Sequence, residues 1–129
     1  NGAIGGWLFT TDSELHLGED VLVPDIMGWR GTELAAMNLP YTTVAPDWIC
    51  EVLSPSTARI DRHRKLPIYA RAGVGHAWLL DPEARSIEVF RRAGEGWEVV
   101  GTWSAEDRVR AEPFDAIELE LGKLWPNRP

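Results

Sequence analysis

The chain has 129 residues, a formal net charge of −7 and a hydrophobic content of 44%. This length and composition suffice for one domain with a hydrophobic core, and they exclude an intrinsically disordered chain. The acidic balance argues against a protein that holds nucleic acid through a broad basic face, because such a face needs clustered Lys and Arg. We therefore predict a single domain over residues 1–129.

The sequence shows no sign of a membrane or secreted protein. No apolar run approaches the about 20 residues needed to span a bilayer, and no signal-peptide pattern is present. Cys50 is the single cysteine, so it cannot form an internal disulfide, and we predict that it is a small buried core residue. This composition fits a reducing compartment, and we expect a cytoplasmic protein with no membrane partner.

The first predicted elements are two short strands, Glu14–Leu17 and Val21–Val23, separated by a turn signal at Gly18. Residues 1–6 are predicted to have no regular structure. Residues 28–45 show no clear period, and we predict that they form a long connection.

Residues 47–53 form a nearly continuous apolar run, which predicts a central strand. A helix should follow and end at Gly73 or Gly75. Because Pro67 cannot occupy a helix interior without losing a hydrogen bond, the regular helix should begin near residues 64–66 or kink there.

Strands dominate the rest of the chain. The alternating tail Ala116–Leu121 predicts a strand, with a short helix to Trp125 as the alternative. Together the patterns predict a strand-rich α/β domain rather than a helical bundle. The other predicted elements are a strand at His76–Leu80, a turn over residues 81–85, and a hairpin with strands Ser86–Phe90 and Trp97–Val100.

Glu51 is a lone carboxylate inside the apolar central strand. Burial of an unpaired carboxylate costs several kcal/mol, so Glu51 should be neutralised, paired or bound to a cation. Asp25 lies in a second apolar run, and sheet pairing can bring it beside Glu51, whereas Asp47 on the same strand is about 13 Å away. Since Mg²⁺ accepts one or two carboxylates together with water and phosphate oxygens, Asp25 and Glu51 predict a metal site.

A small basic region follows the central strand. Residues 47–72 carry five basic and three acidic side chains, whereas the chain on either side is acidic. Such a region can contact a phosphodiester locally, but its affinity for long DNA should be weak and sensitive to salt. A lysine near the metal site would stabilise the negative charge that develops in phosphodiester cleavage.

Several of these segments together resemble a known family: Val23–Asp25, Pro46–Thr57, Asp61–Lys65, Tyr69–Val74 and Trp78–Pro82. They are similar to the Uma family of restriction endonucleases, which belongs to the PD-(D/E)XK nuclease superfamily. The resemblance covers about residues 7–125. It implies a restriction-endonuclease-like mixed β-sheet with flanking helices, and cleavage of DNA that depends on Mg²⁺, with Mn²⁺ as a substitute.

The resemblance also implies roles for particular residues. Asp25 and Glu51 would be the two catalytic acids and metal ligands, with the main-chain carbonyl of Val52 as a further ligand. The lysine that the superfamily usually places two residues after the second acid is replaced by Leu53. The resemblance therefore implies that Lys65, reaching in from the helix, is the catalytic lysine. A helix that supplies another acid often precedes such a core, and we expect the nuclease-like domain of residues 1–129 to lack that segment.

Structural roles compete with these assignments. Glu51 could be an ion paired with Arg59 or Lys65, Asp25 a turn residue, and Lys65 a solvated side chain. Asp61 could cap the helix. The histidines show no metal-ligand spacing, and we predict surface or packing roles for them: His16, His63 and His76.

We accordingly predict a metal-dependent DNA endonuclease. The alternative is a catalytically inactive nuclease-fold module that binds DNA or protein. A small β-rich ligand-binding domain, the third class, would need a pocket built from Trp and Tyr. The sequence leaves the oligomeric state open, with a homodimer as one candidate.

Overall fold

The computed structural model describes residues 3–4, 6–31, 41–56 and 60–125. Within these residues the chain forms short strands and one α-helix, α1, at Leu66–Ala72, preceded by a π-helical segment at Asp61–Lys65. A 3₁₀ turn lies at Leu121–Lys123. The strands are β1 Ala3–Ile4, β2 Trp7–Thr11, β3 Glu14–Leu17, β4 Asp20–Leu22, β5 Ile26–Arg30, β6 Tyr41–Thr42, β7 Trp48–Val52, β8 His76–Asp81, β9 Ser86–Ala93, β10 Gly96–Ser104, β11 Arg108–Val109 and β12 Leu119–Glu120.

The main sheet has seven strands in the order β1-β2-β5-β7-β8-β9-β10. Strand β7 lies in the middle, antiparallel to β5 and parallel to β8. Parallel neighbours need a crossover, and here the π-helical segment and α1 provide it. Two smaller sheets, β4-β3-β6 and β11-β12, complete the described strands. The architecture is a strand-rich mixed α/β sheet, which is the predicted fold class.

The boundaries of α1 follow from local chemistry. Pro67 lies in the first turn, where the missing N–H removes no hydrogen bond. Gly73 ends the helix in the left-handed conformation, with φ +93°, which glycine adopts at no steric cost. The predicted beginning near residues 64–66 and the predicted end at Gly73 are both confirmed.

Side chains of β7 alternate between the two faces of the sheet. Ile49 belongs to the buried layer that faces α1, whereas Trp48 and Cys50 belong to the layer on the opposite face. Cys50 is 1% exposed, as predicted for a small core residue. Glu51 has the same parity as Ile49 and therefore points toward α1 rather than into the aromatic layer.

Three local predictions need correction. In the predicted connection, residues 28–30 belong to strand β5, which pairs with β2 and β7, and residues 41–42 form strand β6, which pairs with β3. Residues 3–4 form a strand against β2, since Gly6 at φ +81° permits a tight turn. The tail forms a strand only at Leu119–Glu120, because its partner β11 is two residues long. Residues 32–40 of the predicted connection lie outside the described residues.

None of the helices within the described ranges is long and apolar enough to cross a membrane.

Candidate active site

Strand pairing brings Asp25 and Glu51 together at one end of the main sheet. Ile26 pairs with Cys50, and extending this register by one residue places Asp25 opposite Glu51. The backbone N–H of Asp25 donates to Oε1 of Glu51 at 3.3 Å. In return, Oδ2 of Asp25 accepts the backbone N–H of Val52 at 2.6 Å. The two predicted acids therefore hold each other's strands in place.

The carbonyl of Val52 lies on the same side of β7 as Asp25. The N–H of Val52 points to Asp25, and the N–H and C=O of one strand residue point to the same side. The pairing of β5 with β7 ends at Ile26 and Cys50, and extending it by two residues would set Pro24 opposite Val52, where proline has no N–H to donate to that carbonyl. On the other edge, the N–H of Leu53 continues the ladder to Leu80 at 2.7 Å. Pro24 thus interrupts the ladder at the predicted carbonyl ligand.

Glu51 is almost completely buried, with 3% of its surface exposed. The hydroxyl of Tyr69 donates to its Oε2 at 2.8 Å. The ammonium Nζ of Lys65 lies 3.7 Å from the same oxygen. Lys65 and Tyr69 are four residues apart, so one turn of helix presents both to Glu51. A buried carboxylate is stable only with such compensation, and these groups supply both charge and hydrogen bonds.

Lys65 is positioned by the crossover rather than by the strand. Arg62, in the π-helical segment, forms an ion pair with Glu88 on β9. Glu88 pairs with Leu79, which pairs with Glu51, so the two acids lie in one row on the face toward α1. The Arg62–Glu88 pair therefore anchors the segment whose last residue is Lys65. A π-helical turn of this kind often occurs at functional sites.

Leu53, at the position of the superfamily's usual lysine, is 5% exposed and packs in the core toward α1. Lys65 is thus the lysine that this structure brings to Glu51, and its catalytic role stays a prediction. The contact equally fits the structural ion pair that the sequence left open. Arg59, the other candidate partner, and the side chain of Asp61 lie outside the described residues.

Cys50 adjoins Glu51 in sequence but takes no part in the site. Burial raises the pKa of its thiol far above the usual range, and the nearby charges of Glu51 and Asp25 raise it further. Its side chain belongs to the layer on the opposite face of the sheet from Glu51, so the thiol does not face the two acids.

The remaining candidates are occupied elsewhere. Oδ2 of Asp47 accepts the backbone N–H of Arg30 at 2.7 Å. His16 contacts Glu14 at 2.9 Å and stacks on Tyr41. The other two histidines also have surface or packing positions: His76 contacts Glu112 at 3.0 Å, and His63 is exposed.

The donors at Asp25 and Glu51 fit a hard divalent cation. Across the described ranges, no group of three or more His, Cys, Asp or Glu side chains could hold a metal ion. Two carboxylates and one carbonyl are nevertheless sufficient for Mg²⁺, which keeps several waters and binds substrate phosphate oxygens. The set does not suit zinc, which prefers nitrogen and sulfur ligands in a tetrahedral site.

Tyr69 and Pro24 are absent from the predicted site, although both contribute to its geometry. The Lys65-x-x-x-Tyr69 spacing places two donors on one helix face next to a strand with a lone acid, and this spacing is the signal that could have identified Tyr69. Pro24 gives no such signal, because its effect depends on which residue of β7 it faces.

An apolar groove lies on the opposite face of the sheet and has a volume of about 610 Å³. Its lining consists of aromatic, aliphatic and proline side chains, so it offers no acid, base or nucleophile for catalysis. The lining residues include Trp7, Phe9, Trp48, Trp78 and Phe114.

Comparison with known proteins agrees with this architecture. A crystal structure of a putative nuclease belonging to DUF820 from Anabaena variabilis ATCC 29413 superposes with a TM-score of 0.69 at 21% identity. The match covers 93% of this chain and 68% of that chain, and it confirms the restriction-endonuclease-like fold class. No curated protein sequence matches the chain. The Uma2 family model, described as "Putative restriction endonuclease", matches residues 3–122, and the chain therefore belongs to the Uma2 family.

Proposed function

We propose that this protein is a metal-dependent endonuclease that hydrolyses phosphodiester bonds of DNA, with Mg²⁺ as its metal and Mn²⁺ as a substitute. The observation that carries the proposal is the pair of acids, Asp25 directly before strand β5 and Glu51 on the neighbouring strand β7, with a lysine beside Glu51. Family membership supports a nuclease in general terms.

Three oxygen donors of this chain would hold the metal: the carboxylates of Asp25 and Glu51 and the carbonyl of Val52. When bound, the metal would neutralise charge on the phosphate oxygens and favour deprotonation of the attacking water. The protein's part is to hold the donors in place before substrate arrives. Burial does this for Glu51, and hydrogen bonds do it for both Glu51 and Asp25, so little reorganisation is required.

Lys65 contributes a positive charge at the same end of the sheet. Its ammonium is 3.7 Å from Oε2 of Glu51, longer than the about 2.7–2.9 Å of a direct charge-assisted hydrogen bond. The side chain is 23% exposed, so a phosphate that reaches the acids also reaches Lys65. Lys65 would donate to a phosphate oxygen and stabilise the negative charge that develops in the transition state.

DNA would contact the protein beside this site. The π-helical segment carries exposed basic side chains, among them His63 and Arg64, directly before Lys65. Because the whole chain has a charge of −7, this contact should be weak and strongly dependent on salt. We place the protein in the cytoplasm, where its single thiol stays reduced.

The alternative is a catalytically inactive module that keeps the nuclease fold to bind DNA or protein. One observation favours it: Lys65 and Tyr69 already compensate the buried charge of Glu51, so the fold does not require a metal. In this alternative the acids and the lysine form a structural network, and no divalent cation binds to them.

Activity of matched variants distinguishes the two. Wild-type protein should cut DNA in Mg²⁺ or Mn²⁺ and should stop in EDTA. Glu51→Gln should abolish cutting while the protein stays folded, because the amide keeps the shape but loses the charge that holds the metal. The variant should lose several kcal/mol of transition-state stabilisation, and each 1.36 kcal/mol lost slows the reaction about tenfold.

Glu118→Gln is the control, since it makes the same chemical change at an exposed acid that pairs with Arg108. It should cut DNA as the wild type does. Equal activity of wild type and Glu51→Gln, with no effect of EDTA on either, would refute the endonuclease proposal.

A further inference from the structure

Tyr69 is fully buried, with 0% of its surface exposed, yet its hydroxyl contacts a charged group. The ring packs in the core between α1 and the sheet, where phenylalanine would fill the same space without a polar atom. The hydroxyl bond to Oε2 of Glu51, at 2.8 Å, is therefore the feature that distinguishes tyrosine from phenylalanine at this position.

The carboxylate of Glu51 is held at both oxygens. Oε1 accepts the backbone N–H of Asp25, and Oε2 accepts the hydroxyl of Tyr69. One donor comes from the residue directly before strand β5 and the other from helix α1, so the carboxylate plane is fixed between two segments. Rotation of the carboxylate would break one of these hydrogen bonds in a buried site, which is costly.

Tyr69 and Lys65 approach the same oxygen but at different distances. The neutral hydroxyl is at 2.8 Å, and the ammonium is at 3.7 Å. A neutral donor occupies the carboxylate oxygen without cancelling its charge, whereas a lysine in direct contact would compete with a divalent cation for that charge.

We propose that Tyr69 is a positioning residue for Glu51, which fixes the carboxylate toward Asp25 and holds Lys65 back from direct contact with it. This proposal rests on the proposed function, because the orientation matters most for a metal that shares Asp25 and Glu51. Tyr69 thereby separates two tasks: its neutral hydroxyl orients the acid, and the ammonium of Lys65 remains directed to substrate phosphate.

The test is Tyr69→Phe, with Tyr41→Phe as the matched control. Tyr41 is the other tyrosine of the chain, is 38% exposed and stacks on His16. Binding of Mn²⁺ and of Mg²⁺, without DNA, is measured by calorimetry. Loss of an outer partner of a metal ligand weakens binding by about 10- to 100-fold, so we expect this for Tyr69→Phe and no change for Tyr41→Phe. Unchanged affinity in Tyr69→Phe would overturn the proposal.

A second measurement needs no metal and separates failure of the proposal from failure of the proposed function. In EDTA, the coupling between Glu51 and Lys65 is obtained from unfolding of Glu51→Gln, Lys65→Met and the double variant. In the Tyr69→Phe background, Lys65 should close onto Glu51. The coupling, expressed as a factor in the unfolding equilibrium constant, should then be about threefold or more larger than in the wild-type background.

The outcomes are distinct. If wild type binds no divalent cation but the coupling rises, the proposed function fails and the positioning role stands. If the cation binds but its affinity does not respond to Tyr69→Phe, the positioning role fails and the proposed function stands. Should Tyr69→Phe not fold, the same change is made in Glu51→Gln. Recovered folding would support the hydroxyl–carboxylate contact, and continued unfolding would show that the hydroxyl is needed for something other than Glu51 and overturn the proposal.

Discussion

Replacement of Lys65 by methionine tests the energetics of the buried site most directly. Glu51 is 3% exposed, and Lys65 supplies positive charge 3.7 Å from its Oε2. Removal of one partner from a buried ion pair costs about 3–5 kcal/mol, because it leaves an uncompensated buried charge.

The free energy of unfolding lost in Lys65→Met should be smaller than that range, for two reasons. Lys65 is partly exposed, and the donors from Asp25 and Tyr69 remain in the variant. We therefore expect Lys65→Met to lower the free energy of unfolding by about 2–3 kcal/mol in EDTA. With a urea m-value of about 2 kcal/mol/M, the midpoint should fall by roughly 1–1.5 M.

The chain provides a control with the same distance. Lys123, the other lysine, lies 3.7 Å from Glu120 but is 78% exposed. Lys123→Met should therefore cost less than about 0.5 kcal/mol, as expected of a solvent-screened pair. The comparison isolates burial, since the two ion pairs differ little in length.

Two further measurements decide between a structural ion pair and a metal site. Glu51→Gln should restore most of the stability lost in Lys65→Met, because it removes the uncompensated charge. Mg²⁺ at 100 times its Kd should stabilise the protein by about 2.7 kcal/mol if it binds only the folded state. The reasoning is refuted if Lys65→Met is as stable as Lys123→Met and Glu51→Gln has no effect on it.

Two predictions concern residues away from the site. The hydrogen bond from His76 holds the pKa of the Glu112 carboxyl below its usual range, against the opposing effect of burial and with help from Arg91. Because the pKa of Glu112 is lower in the folded state, this stabilisation is present above about pH 4.5 and is lost as the pH falls through the folded-state pKa. Glu112→Gln should therefore lose less stability than wild type on acidification. Equal acid sensitivity of the two proteins in urea titrations would show that the carboxylate contributes nothing. Gly28→Ala places a Cβ 2.8 Å from a ring carbon of Phe9 and should lower the free energy of unfolding by about 1–3 kcal/mol. Gly96→Ala is the control and should have no such effect, because the nearest atom to its Cβ is 3.8 Å away. Equal urea midpoints of the two variants would contradict this.

The site combines features that a metal centre needs with features that stabilise the metal-free fold. Lys65 and Tyr69 satisfy Glu51 before any cation binds, so the acid can remain ionised in a nearly dry position. A divalent cation bound as proposed would compete with the lysine for this carboxylate. The distance of 3.7 Å between Nζ and Oε2 suits this competition, because it leaves the ion pair weaker than a direct contact.

Local chemistry along the chain determined the central strand, its lone acid and the end of the helix. The apolar run around Glu51 has the character of a strand buried on both faces, and β7 is the middle strand of the sheet. Gly73 ends α1 because only a residue without a Cβ adopts that conformation freely. Pro67 restricts the helix start for an equally local reason.

Tertiary structure decided the features that depend on distant partners. Strand β5 forms because it can pair on both edges, although its own sequence has no clear period. The contact of Tyr69 with Glu51 needs the crossover to lay α1 over β7, and the hydrogen bonds of Asp25 with Glu51 and Val52 need one particular register. A shift of that register by one residue would turn every side chain to the other face, so no local pattern specifies these contacts. The sequence by itself thus determined which residues carry charge in apolar strands, and only the pairing of those strands decided which groups meet.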